Sequence, residues 1–155
     1  MNQWEREFRM VQFMVHTFYG AGLVYAGMIY FRIPAVAHPM PESGHLLFPL
    51  LFLIALASFP LSQMFGGRQI SAQILAQKLQ ANADRILRMS AGMNSIRTAA
   101  ILMAAFGESC AVYGLILYLL TGDTTRPWLF IGLSAVHYAW NMARLRLARV
   151  QIAAI

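Results

Sequence analysis

The sequence predicts an all-α protein: a four-helix transmembrane bundle with an amphipathic cytoplasmic helical segment between its second and third spans. Three observations predict it. Of 155 residues, 59% are hydrophobic and only 12% charged, with a mean hydropathy of +0.55, a composition foreign to a soluble domain. Four apolar runs reach or approach the roughly 20 residues that carry a helix across a hydrocarbon core about 30 Å thick. Ten of the twelve basic residues fall on one side of those runs, and Lys and Arg are the residues retained on the cytoplasmic side.

The first span is expected at 11–31. It is too long, and with Gln12, His16 and Thr17 too polar, to be the core of a signal peptide, so it is expected to stay in the mature protein. The following loop, Arg32 to His45, holds Pro34, Pro39 and Pro41, which exclude a continuous helix. His38, Glu42 and His45 in that loop are metal-ligating residue types, but their spacing defines no geometry. The second span is expected at 46–65 and ends at the Gly66-Gly67 break. From 68 to 97, Ile70, Ile74, Leu75, Ile86, Leu87 and Met93 recur at helical spacing, opposite a polar side that includes Gln73, Gln77 and Arg88. This reads as one amphipathic helix, or two with a turn at Asn82 to Asp84 or at Ser90 to Ser95, lying on the inner membrane surface or projecting as an antiparallel stalk. The third and fourth spans are expected at 98–121 and 127–143.

Arg6 and Arg9 precede the first span, five basic residues lie between the second and third, and Arg144, Arg146 and Arg149 follow the fourth. Only Arg32 and Arg126 fall in the opposite loops, so both termini are expected in the cytoplasm, with a bacterial inner membrane as the setting. This asymmetry, with attraction to anionic lipid, accounts for a pI near 10.1 without nucleic acid as a partner. Lipid is the expected partner, together with a second copy or other membrane subunits. Gly20, Gly22 and Gly27, with Gly107 and Gly114, suit close helix contact within the chain or between copies. The single cysteine, Cys110, permits no intrachain disulfide. No phosphate loop, nucleophile elbow, HExxH or CxxC pattern occurs, so the reading is of a protein without an enzymatic activity.

Glu108 is the residue of most interest, because an ionisable group inside a span is by default a functional-site hypothesis. It lies eleven residues beyond Arg97, about 16 Å in at 1.5 Å per residue, near the midplane. His16 and His137 are each seven residues from an arginine, about 10 Å from the inner face. All three are expected to meet in the inner half of the bundle. His137 and Asn141, four apart, share a face of the fourth helix and give it a polar stripe.

The run through Glu108, Cys110, Ala111, Val112, Tyr113, Gly114 and Leu115 resembles the carboxylate-bearing helix of the rotary ATPase ring proteolipids, the c-type subunits. It is also similar to small bacterial membrane proteins of unassigned function. The resemblance covers about 20 residues strongly. It implies that Glu108 binds and releases a proton or sodium ion, with Tyr113 as a hydrogen-bond partner. Spans one and four have no counterpart in the two-span proteolipids, and Leu46 to Phe65 carries Pro49, Pro60 and bulky residues where the ring proteins alternate glycine. Two other readings stand beside it. Glu108 is a structural carboxyl bonded to Ser109, Tyr138, His137 or a backbone carbonyl in a subunit that serves assembly. Alternatively, His16 and His137 on facing helices are the axial ligands of a b-type haem.

Overall fold

A computed structural model describes residues 3–33, 46–80 and 84–153, and among them every regular element is helical. Four long helices dominate: α1 (Gln3–Tyr30), α2 (Leu47–Phe65), α4 (Arg85–Thr121) and α5 (Pro127–Ala153). A 3-10 turn (Gly67–Ile70) and the short α3 (Ala72–Gln80) link α2 to α4. The candidate metal ligands His38, Glu42 and His45, like Asn82, lie outside the described residues.

Several helix ends have a local cause. At the end of α1, Arg32 turns left-handed at φ 50° while the amide of Ile33 donates to the Met28 carbonyl. Asp84 is the N-cap of α4, its carboxylate accepting from the Ile86 amide at 2.9 Å. Gly122 ends the same helix at φ 67°, a conformation that costs glycine nothing. The next residue, Asp123, accepts from the amides of Thr125 and Arg126, and Pro127 opens α5, where its missing N–H is no loss. Of the expected turn at Asn82 to Asp84 only Asp84 lies within the described residues, as the cap of α4, and Ser90 to Ser95, the alternative place for a turn, runs within helix.

The helix α4 is the axis of the molecule, in contact with α1, α2, α3 and α5. One apolar cluster joins Phe8, Val11 and Val15 of α1 to Ile96 of α4, Leu145 of α5 and Leu75 of α3. A second joins Leu51 and Ala55 of α2 to Cys110 and Leu117 of α4 and Phe130 of α5. The first cluster gathers the start of α1, the start of α4 and the end of α5, so α1 and α4 run parallel and α5 antiparallel to both. At the other end the Tyr118 hydroxyl donates to the Ile33 carbonyl at 2.6 Å, which keeps α1 alongside α4 over their length. On α2 the inward residues Leu51, Ala55, Ser58 and Ser62 recur at intervals of four, three and four, a single helix face. The small Ala55, Ser58 and Ser62 let α2 close on its neighbours, and Gly66 at its end meets Ala99 and Met103 of α4.

Two stretches, Leu47–Gln77 and Ile86–Thr121, are long and apolar enough to cross a membrane by length and composition. The helices α1 and α5 fall short of that measure because Gln12, His16 and Thr17 dilute the first and Ser134, His137 and Asn141 the second. Both helices also run further than the apolar runs alone suggest, α1 starting at Gln3 and α5 reaching Ala153.

Candidate functional site

Glu108 lies on the side of α4 that faces α1, in an open groove lined by Phe13, Met14, Thr17, Phe18 and Ala21. The groove encloses about 440 Å³. The Thr17 hydroxyl donates to the Phe13 carbonyl at 3.0 Å, and every other α1 residue of the lining is apolar. Among the described residues no hydrogen bond or ion pair reaches the Glu108 carboxylate. The expected partners are occupied elsewhere: Ser109 donates to the Phe106 carbonyl at 2.7 Å, and Tyr138 bonds His16. Tyr113, expected beside Glu108, packs with the outer cluster of α2, α4 and α5. Five residues on a helix is 500°, which leaves the two side chains about 140° apart.

The expected meeting of Glu108, His16 and His137 is not what the helices build. His16 lies at the α1–α5 contact, where its Nδ1 is 2.5 Å from the Gln12 carbonyl and its Nε2 3.0 Å from the Tyr138 hydroxyl. A carbonyl only accepts, so Nδ1 carries the hydrogen and Nε2 accepts from Tyr138. Both ring nitrogens of His16 are thereby engaged. His137 is fully buried and faces α2 instead, its ring centroid 3.9 Å from that of Phe59. Neighbours in sequence on α5, Tyr138 and His137 point to different helices, and the two imidazoles that the haem reading pairs are turned apart.

His137 belongs to a polar cluster that composition and spacing did not single out. The Ser58 hydroxyl of α2 is 3.2 Å from His137 Nε2, 3.2 Å from Cys110 Sγ and 2.6 Å from the Ala55 carbonyl. All three side chains are buried. The available signal was the Ser58 and Ser62 pair on the small-residue face of α2, since such faces are where membrane helices meet. One turn further along α5, Asn141 donates to the Tyr19 hydroxyl at 2.8 Å and to the Met103 carbonyl at 3.0 Å. His137 thus ties α5 to α2, and Asn141 ties it to α1 and α4. The Tyr19 ring lies over Gly107, the residue before Glu108, where a Cβ would overlap its hydroxyl.

A second groove opens between α1 and α5. It has a volume of about 270 Å³, with Leu23, Ile131 and Ala135 on its walls, Ala111 at its base and His16 and Tyr138 at one end. No family model, curated protein or solved structure matches the chain. The likeness of the Glu108 helix to the ring proteolipids stands on that helix alone. Among the described residues no three His, Cys, Asp or Glu side chains gather where they would hold a metal ion.

Proposed function

We propose that the chain is an integral membrane protein of four spans, with both termini in the cytoplasm, that binds and releases a proton or a small cation at Glu108. Support for the membrane comes from the surface. Large apolar side chains stand exposed on all four long helices, among them Leu23 of α1 (75%), Leu53 of α2 (64%), Ile116 of α4 and Val136 of α5. An apolar surface spread around a bundle in this way suits lipid rather than water. Of the polar residues that dilute these helices, Ser134, His137 and Asn141 of α5 are buried in the bundle, and His16 of α1 bonds Tyr138 of α5, as expected of spans that bond one another. The orientation rests on the basic residues, which collect at the end formed by the start of α1 and α4 and the end of α5.

The observation that carries the site is the setting of Glu108. A carboxylate without a partner, in an apolar groove at about mid-depth, is unfavourable as a bare charge and favourable when it holds a proton or a cation. With the Thr17 hydroxyl on the facing helix, the groove offers oxygen ligands of the kind that suit a hard cation. The test is Glu108→Gln in reconstituted vesicles. Carbodiimide modification and proton or sodium flux should both disappear, while helix content and native mass stay as in the wild type. Flux that persists in this variant would sink the proposal.

The same groove supports a second reading, an accessory or assembly subunit, because it opens to the side of the bundle where a neighbouring helix would cover the carboxyl. In that case Glu108→Gln loses a co-purifying subunit or the homo-oligomer, and the wild type shows no flux.

A further inference from the structure

Among the described residues, two buried acceptors on one face of α5 have no protein donor. Asn141, 1% exposed, gives the hydrogens of its amide nitrogen to Tyr19 and to the Met103 carbonyl. A carbonyl only accepts, so the amide cannot be reversed, and its Oδ1 is left buried without a partner. The tautomer of His137 follows from Ser58. The single hydroxyl hydrogen of Ser58 belongs to the shorter of its two contacts with oxygen or nitrogen, 2.6 Å to the Ala55 carbonyl against 3.2 Å to His137 Nε2. Nε2 therefore carries the ring hydrogen and donates it to the Ser58 oxygen. His137 Nδ1 remains as a bare lone pair, also buried and without a partner.

Residues four apart on a helix have Cβ atoms about 5–6 Å apart on the same face. One water molecule bridges such a pair by donating a hydrogen to each, and internal waters collect at polar atoms left unsatisfied in this way. We infer that the core binds an internal water between His137 Nδ1 and Asn141 Oδ1, held by one hydrogen bond to each. The site is separate from the Glu108 groove and does not depend on how that groove is used.

The test is nuclear magnetic resonance of the full chain, with 15N-labelled histidine, in deuterated detergent. His137 should be protonated at Nε2 and His16, as an internal control, at Nδ1. Magnetisation should pass from water to the His137 ring, and this transfer should be lost in Asn141→Leu. A His137 ring protonated at Nδ1 overturns the inference. So does an absence of transfer from water, or transfer that is unchanged in Asn141→Leu. If that variant does not fold, the tautomer and the water transfer of the wild-type protein decide the matter.

Discussion

Gly107 has no room for a side chain. A Cβ there would overlap the Tyr19 hydroxyl, and Tyr19 in turn receives the Asn141 amide. Gly107→Ala should therefore cost about 1–3 kcal/mol, the usual penalty for overpacking, seen as a lower unfolding midpoint in detergent. Gly20 has open space at the corresponding point, so Gly20→Ala should be neutral or slightly stabilising, since alanine is the better helix former by about 1 kcal/mol. Ser58→Ala removes the acceptor of the His137 ring hydrogen and should destabilise by about 1–3 kcal/mol, the cost of a buried donor left unpaired. The same midpoint measures it, and a change within error would mean that Ser58 does not hold His137. At this scale the sequence was legible in part. Glu108, His137 and Asn141 stand out because polar groups are rare in apolar runs. Their partners do not, because Ser58 and Cys110 are small enough to pass as lipid-compatible residues. The rotation that turns His137 toward α2 and His16 toward Tyr138 comes from helix packing, which no local pattern encodes.

Among the elements, α4 shows how a polar cap and an apolar run combine into one object. Its 37 residues extend about 55 Å at 1.5 Å per residue, beyond any hydrocarbon core, so its first turns stand outside the apolar region with α3 packed against them. Asp84→Ala should weaken only that outer end, by about 1 kcal/mol. Hydrogen exchange should quicken at the Ile86 to Arg88 amides and stay unchanged near Glu108; equal protection in both proteins would show the cap to be idle. The apolar runs make the four long helices legible, and the start of α4 follows from the capping chemistry of Asp84. The added length of α1 and α5 was hidden, because beyond the apolar runs these helices are held by contacts such as Arg149 over the Phe8 ring at 4.9 Å rather than by hydrophobicity.

For the whole molecule, the buried Cys110 is of experimental use. It is 0% exposed, so the folded chain should resist a membrane-impermeant maleimide, and the natural sequence becomes a silent background for labelling. Thr125→Cys and Gln151→Cys place thiols at exposed positions on opposite ends of the bundle. In intact cells the first should be labelled and the second only after the membrane is opened; the reverse pattern would invert the proposed orientation. The arrangement of helices also bears on how the protein is made. Both α1 and α2 find their main partners in α4 and α5, which lie later in the chain. In the proposed membrane setting, the first two helices would enter the bilayer before the partners of His16, Tyr19 and Ser58 on α4 and α5 exist. A chain stalled before α4 would then leave those polar groups facing lipid, a ready mark for membrane proteases or insertion chaperones, so that the later helices decide whether the earlier ones survive.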